Sequence, residues 1–124
     1  MSNVIYTPDA PEAIGPYSQA IVAGGLVFTS GQIPINPATG AIEAVTIEEQ
    51  TEQVCKNISA VLAAAGTSIE KVVKTVCFLS DMNDFAAFNA VYAKYFTGKP
   101  ARSCVAVKTL PKNVLVEVDT VAEL

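Results

Sequence analysis

The sequence contains a single arginine, Arg102, in the segment Pro100–Cys104, which precedes the apolar run Val105–Val107. A second apolar run, Val114–Val118, carries Glu117 in its middle. Guanidinium binds a carboxylate with two parallel hydrogen bonds and keeps its proton at all physiological pH values. Charged side chains in runs that otherwise resemble buried strands are costly unless they are paired or used. Two interpretations stay open: the two residues neutralise each other, or they form a site for a ligand that bears a carboxylate.

The spacing of the two runs suggests a register. A symmetric turn between them would place Cys104 opposite Glu117, and the alternation of side chains along a strand puts Arg102 on the same face as Cys104. We therefore expect a cation, a thiol and a carboxylate to converge near one spot. A slip of one residue would break this grouping.

Histidine is absent from the sequence, which removes the usual general base at neutral pH and the commonest metal ligand. The three cysteines, Cys55, Cys77 and Cys104, lie far apart and form no CxxC pair, so we expect no metal site. An odd number of separated thiols favours a reducing compartment, and we expect a cytoplasmic protein. Any acid–base chemistry must come from Glu, Asp, Tyr, Lys, Cys or a positioned water.

The 124 residues are expected to form one domain, residues 1–124. Charged residues make up only 16% of the chain, against about 25% in an average soluble domain, which indicates surface buried against another subunit. A net charge of -4 makes nucleic acid an improbable main partner. We also expect no membrane association, because no apolar run is long enough to span a bilayer and the N-terminus lacks a signal-peptide pattern.

The order of elements predicts an α+β fold. Gly24-Gly25 between two β-rich runs (17–23 and 26–30) predicts a hairpin. Thr46 and Glu49 form a capping-box pattern that begins a helix ending near Gly66. Val72–Leu79 reads as a buried central strand. A second helix, capped by Asn83, carries an aromatic stripe that we interpret as core, and two strands around Cys104 and Glu117 follow. The prediction is a mixed sheet covered on one face by two helices.

Several motifs together resemble the RidA (YjgF) family. They include Pro100 to Val107 followed by Leu110 and Val116-Glu117-Val118, the N-terminal run 10–20, the segment Phe28 to Pro34, and the helix segment Gln50 to Asn57. The resemblance extends almost from end to end. Val118 is the one departure, since the family usually has Met or Ile there, and the change is a conservative apolar one beside the glutamate.

This resemblance implies a chorismate-mutase-like fold, a homotrimer with clefts between subunits, and hydrolysis of enamine and imine acids such as 2-aminoacrylate to 2-keto acids and ammonia. It implies that Arg102 binds the substrate carboxylate and that Glu117 positions or activates the attacking water. Tyr17 would lie near the substrate, and Ser30, Gly31 and Cys104 would line the cleft. An imine carbon is already electrophilic, so we expect no metal and no other cofactor.

Alternatives remain for the residues and for the function. Cys104 could be a nucleophile rather than a small cleft-lining residue, although no histidine is present to lower its pKa, and Tyr17 could simply pack at the start of a strand. Rival functions are a ribonuclease or translation inhibitor, a chorismate mutase, and a regulatory or chaperone-like module that binds a metabolite without turnover. Only a turnover measurement separates the last of these from an enzyme.

Overall fold

The computed structural model describes residues 2–124 and consists of a six-stranded sheet with two α-helices. In chain order the elements are β1 (Asn3–Ile5), β2 (Ala20–Ala23), β3 (Leu26–Thr29), α1 (Ile47–Ala64), β4 (Val72–Leu79), α2 (Phe85–Tyr95), β5 (Ala101–Ala106) and β6 (Val116–Glu123). The strands are ordered β1-β2-β3-β6-β4-β5. β4 and β5 run parallel and every other neighbouring pair is antiparallel. The predicted mixed α+β sheet is confirmed.

Local signals in the sequence set the early elements as predicted. Gly24 and Gly25 adopt φ values of 60° and 78°, the left-handed conformations that a two-residue hairpin turn between β2 and β3 requires. Helix α1 begins at the predicted capping box, in which Thr46 Oγ1 accepts a hydrogen bond from the Glu49 backbone amide at 3.1 Å. It ends where Gly66, with φ of 87°, turns the chain. Strand β1 was not predicted.

The second helix begins differently from the prediction. Asn83 does not cap it. The Asp81 carboxylate accepts a hydrogen bond from the Asn83 amide at 2.8 Å, and one short 3-10 turn (Met82–Asp84) leads into α2 at Phe85. Asp81, two residues before Asn83, thus satisfies the free Asn83 amide at the start of the 3-10 turn.

Both helices cover the same face of the sheet and enclose the core. The aromatic stripe of α2 contributes Phe88, Tyr92 and Phe96, all buried, so its interpretation as core is confirmed. The sheet supplies the alternate residues of its central strands to this core, namely Cys77 and Leu79 from β4 and Val116, Val118, Thr120 and Ala122 from β6. In residues 2–124, neither helix has the length and apolarity that a bilayer crossing would need.

The opposite face of the sheet carries no helix in the described chain. It presents the other set of alternate residues, including Glu117 and Asp119 on β6. Phe28 on β3 and Val105 on β5 remain 42% and 47% exposed there. Apolar surface of this kind marks a place where another molecule can pack.

Candidate active site

Four predicted site residues, Tyr17, Ser30, Gly31 and Glu117, line one cavity of about 640 Å³, which we name the glutamate pocket. The rest of its wall is largely apolar and includes Pro11, Ile14, Ile33, Ile35 and Pro111. A mostly apolar pocket with a few convergent polar groups is the usual form of a small-molecule site.

Glu117 is the carboxylate of this pocket. It lies between Val116 and Val118, which are fully buried beneath the helices, so strand alternation points Glu117 to the other face. Its own side chain is half-buried. Burial raises the pKa of Glu117 above its ordinary value of 4.5, and the nearby carboxylate of Asp119 raises this pKa further. A carboxylate whose pKa is raised accepts a proton from water more readily, which suits a general base.

Gly31 allows the backbone to approach Glu117 closely. A β-carbon built on Gly31 would lie 2.9 Å from Glu117 Cδ and closer still to Oε2. The neighbouring Gln32 amide donates to the Val118 carbonyl at 2.8 Å, and the Val118 amide returns a bond of 3.2 Å. This pair of hydrogen bonds fixes the Gly31 backbone over the Glu117 carboxylate. A larger residue at position 31 would therefore displace either this backbone or the carboxylate.

The loop that carries Tyr17 is held by Gln19, which the sequence analysis did not single out. Gln19 is buried. Its Oε1 accepts a hydrogen bond from the Thr7 amide at 2.7 Å, and its Nε2 donates to the Thr7 carbonyl at 3.0 Å and to the Pro11 carbonyl at 2.8 Å. Tyr17 itself is 51% exposed and its hydroxyl accepts a weak hydrogen bond from the Ile14 amide at 3.4 Å. The ring therefore lies at the rim of the pocket, free to contact a ligand.

Ser30 contributes its position rather than a free hydroxyl. Its Oγ donates to the Ser18 carbonyl at 2.6 Å and its amide donates to the Gln19 carbonyl at 2.9 Å. These bonds join the end of β3 to the segment before β2. Ser30 thus fixes the edge of the glutamate pocket where Gly31 follows.

Arg102 lies in a different cavity, of about 530 Å³, lined also by Asn89, Tyr92, Phe96, Lys99 and Pro100. We name it the arginine cleft. Within residues 2–124 the hydrogen bond of the guanidinium runs from Nη1 to Asn89 Oδ1 at 2.7 Å. Guanidinium has five N–H donors, so most of them stay available for a ligand carboxylate.

Aromatic rings of α2 orient the guanidinium. The Arg102 Cζ atom lies 4.8 Å from the centroid of the Tyr92 ring and 5.3 Å from that of Phe85. The Tyr92 hydroxyl is itself bonded to Thr75 Oγ1 at 2.8 Å, and Thr75 is the register partner of Arg102 on β4. Cation–π contacts and the Asn89 bond together hold the planar group in place. Neither Asn89 nor this aromatic support was foreseen, because both depend on how α2 packs on the sheet.

The predicted convergence of Arg102, Cys104 and Glu117 within one chain is wrong. β5 does not form a hairpin with β6, because the chain crosses to the far side of β4, so Cys104 pairs with Cys77 while Glu117 pairs with Phe78. Arg102 faces α2, and Glu117 faces the side without helices. The interpretation that these two charges neutralise each other within one chain is wrong for the same reason.

Cys104 remains close to Arg102, on the same face of β5. Burial raises the pKa of the Cys104 thiol, and the Arg102 charge and a hydrogen bond from Cys77 lower it in part. A thiol with a raised pKa is a poor nucleophile at neutral pH. This arrangement disfavours a nucleophilic role of Cys104 in hydrolysis. Cys104 lines neither the glutamate pocket nor the arginine cleft, so its cleft-lining role stays a prediction.

Comparison with known proteins identifies relatives along the whole chain. Residues 7–124 match the family model described as Endoribonuclease L-PSP. A 2-iminobutanoate/2-iminopropanoate deaminase from Salmonella typhimurium is 47% identical over 126 aligned positions, covering 98% of each chain.

Solved structures agree with the fold. A protein of unknown function of the conserved Rid protein family, YyfA from Yersinia pestis, superposes with a TM-score of 0.97 at 52% identity over 100% of both chains. The E. coli protein TdcF with bound serine superposes with a TM-score of 0.94 at 42% identity, over 98% of both chains. By this family match and these identities over the full length, the chain belongs to the RidA (YjgF) family.

Proposed function

We propose that this protein hydrolyses 2-enamine and 2-imine acids to 2-keto acids and ammonia, in clefts formed between the subunits of a homotrimer. Arg102 of one subunit would bind the substrate carboxylate. Glu117, Tyr17, Ser30 and Gly31 of the next subunit would complete the site. The substrates are small, short-lived products of dehydratase chemistry, such as 2-aminoacrylate and 2-iminobutanoate, and the expected location is the cytoplasm.

One observation carries the proposal. An oriented guanidinium with unused donors and a carboxylate of raised pKa lie on opposite faces of one sheet. No bend of a single sheet brings them to one ligand, whereas a second copy of the chain can bring its β5 edge against the glutamate pocket. β5 is the last strand of the sheet, so the residues it carries are within reach of a neighbouring molecule.

The sheet face without helices offers an apolar surface for contacts between subunits. The sheet face without helices carries exposed Phe28 and Val105, and three such faces closed around a threefold axis would bury this apolar area. In the proposed head-to-tail trimer, each arginine cleft would lie beside the glutamate pocket of the next subunit. The trimer is therefore proposed as part of the active site.

The chemistry follows from the two half-sites. Arg102 holds the carboxylate, which leaves the adjacent imine carbon directed toward Glu117. Glu117 takes a proton from water as the water oxygen forms a bond to that carbon, giving a carbinolamine. That proton passes to the imine nitrogen, which completes the carbinolamine. The hydroxyl proton of the carbinolamine then passes through Glu117 to the amino group, the C–N bond breaks, and ammonia leaves as the C=O bond forms. An enamine substrate first takes a proton on its terminal carbon to become the imine.

The relatives support this reaction class. One of them carries the name 2-iminobutanoate/2-iminopropanoate deaminase, and a structural relative was solved with serine, an amino acid whose carboxylate is equivalent to that of the imine. The ribonuclease suggested by the family model's description is not proposed, because the chain is acidic and has no histidine to act on a phosphodiester at neutral pH.

A coupled assay tests the proposal. A threonine dehydratase generates the imine in the presence of semicarbazide, which traps any imine that is not hydrolysed, and keto-acid formation is followed. We expect the protein to increase the yield of free keto acid at the expense of the trapped imine. An unchanged yield, with the protein folded and trimeric and a keto acid still bound at Arg102, would contradict hydrolysis and favour a binding module.

A further inference from the structure

A pair of thiols lies beside the arginine cleft and has no part in the proposed hydrolysis. Cys77 on β4 and Cys104 on β5 are register partners in the parallel part of the sheet, so their side chains leave the same face. Neighbouring strands are about 4.8 Å apart, and the Cα atoms of disulfide-bonded cysteines are usually about 4.4–6.8 Å apart. The Cys77 thiol donates a hydrogen bond to Thr75 Oγ1 at 3.7 Å. The strand spacing therefore places the two Cα atoms within the range that a disulfide spans.

We propose that Cys104 and Cys77 form a reversible intrachain disulfide when the folded protein meets a peroxide, and that this bridge switches the arginine cleft off. Cys104 is partly exposed, whereas Cys77 and Cys55 are 0% and 1% exposed. Cys104 is thus the thiol that a peroxide can reach, and Cys77 is the one placed to resolve it.

The reaction is balanced with one peroxide for each chain. The Cys104 sulfur attacks a peroxide oxygen, the O–O bond breaks, and a sulfenic acid and water form. Cys77 then attacks the Cys104 sulfur, the S–O bond breaks, and the Cys77 proton leaves with the hydroxyl as a second water. Two thiols lose two electrons and two protons, and the peroxide is reduced to two waters. A dithiol reductant reverses the bridge.

The electrostatics set the conditions for the first step. Because burial raises the pKa of Cys104, its reactive thiolate is scarce at neutral pH, and the rate of bridging should increase as pH rises. The positive charge of Arg102, two residues away on the same strand, partly offsets the effect of burial by lowering the pKa of Cys104. The bridge would tie Cys104 to the core side of the sheet and so alter the strand segment that presents Arg102.

Trypsin separates the three cysteines cleanly. Cys55 lies in peptide 1–56, Cys77 in 75–94 and Cys104 in 103–108, because the cleavage sites are Lys56, Lys74, Lys94, Arg102 and Lys108. The folded protein is treated with hydrogen peroxide, its remaining thiols are alkylated, and the digest is analysed by mass spectrometry without reduction. We expect peptides 75–94 and 103–108 joined as one species lacking two hydrogens, which dithiothreitol separates.

Two variants sharpen the test. Cys77→Val keeps an apolar side chain of similar size in the core and should give no cross-link, while Cys55→Ala removes the third thiol and should cross-link as the wild type does. Imine hydrolysis should fall as the cross-link forms in the wild type and return with dithiothreitol, and Cys77→Val should resist this loss. Further oxidation of Cys104 without a cross-link, a link that contains peptide 1–56, or a link between two chains would overturn the proposal, whether or not the protein hydrolyses imines.

Discussion

Arg102 and Glu117 point to opposite faces of the same sheet, one toward the rings of α2 and the other into the glutamate pocket. β4 lies between their strands and pairs with both. This relationship explains how a protein with one arginine can present an oriented cation and a carboxylate of raised pKa without the two neutralising each other. In the proposed trimer, each chain would contribute to two different sites, through Arg102 to one and through Glu117 to the other.

Arg102 is expected to be essential for turnover. Arg102→Ala removes two charge-assisted hydrogen bonds to the substrate, which corresponds to a loss on the order of 10²–10⁴ in kcat/KM. Arg102→Lys keeps the charge but loses the planar guanidinium that lies over the Tyr92 ring, and should be nearly as impaired. Lys94→Ala, which removes an exposed cation from the last turn of α2, is the control and should leave kcat/KM unchanged. Near-normal turnover by Arg102→Lys would contradict bidentate binding.

Glu117 is expected to act on water rather than on substrate affinity. Glu117→Gln retains the shape of the side chain but cannot take a proton, so keto-acid formation should fall while the Kd of a keto-acid ligand changes little. Comparing the two quantities in this variant checks the role. If the Kd worsens as much as turnover does, Glu117 holds the ligand and a different base must be found.

The acid limb of the pH–rate profile should report Glu117. Its pKa lies above the ordinary 4.5, so kcat should be lost as pH falls through that raised value. Asp119→Asn removes one of the two causes that raise the pKa of Glu117, so it should move the acid limb to lower pH. A limb that stays in place in Asp119→Asn, with the trimer intact, would show that another group governs the profile.

Burial of these carboxylates should also affect stability. Burial raises the pKa of Asp119, as it does that of Glu117. A carboxyl group whose pKa is higher in the folded state stabilises the fold at low pH, and this contribution is lost as pH rises through the folded-state pKa. Asp119→Asn should therefore raise Tm at pH 7 and have a smaller effect at pH 4. Thermal unfolding at both pH values checks the sign, and a lower Tm at pH 7 would contradict it.

The contact between Gly31 and Glu117 predicts a specific steric effect. Gly31→Ala would place a methyl group within 2.9 Å of Glu117 Cδ, so the carboxylate must move and turnover should fall by about 10- to 100-fold, as for other misplaced catalytic groups. Shortening the acid in Gly31→Ala/Glu117→Asp should reduce the overlap, because the carboxylate no longer extends to the present position of Oε2, the atom nearest the added methyl group. The double variant is therefore expected to have a higher Tm than Gly31→Ala alone, and an equal or lower Tm would exclude the clash.

Much of the fold follows from local signals in the sequence. The paired glycines, the capping box and the β-rich run Val72–Leu79 each act within a few residues, and the structure places all three as predicted. The pairing of β5 with β4 is a contact between distant segments. No local pattern in the sequence distinguishes this pairing from a hairpin between β5 and β6. Because the hairpin was predicted instead, Arg102 was predicted to lie on the same face of the sheet as Glu117.

The candidate site shows the same division. Tyr17, Ser30, Gly31 and Glu117 lie together in the structure as the family resemblance suggested, although their roles remain predictions. Asn89 and Gln19 could not be found from the sequence, since an amide side chain has no recognisable pattern until the group that it bonds is known, the Arg102 guanidinium for Asn89 and the Thr7 and Pro11 backbone for Gln19. Both residues position others: Asn89 holds the Arg102 guanidinium, and Gln19 holds the loop before Tyr17.

Complementation between two inactive variants tests the shared site most directly. Arg102→Ala and Glu117→Gln are mixed in equal amounts, unfolded and refolded together so that mixed trimers form, and imine hydrolysis is compared with that of each variant refolded alone. If Arg102 of one subunit works with Glu117 of the next, random mixing restores about a quarter of the wild-type sites, and activity should recover to about that level. Full-length mixed trimers, verified by native mass spectrometry, that stay as inactive as either variant alone would contradict an active site shared between subunits.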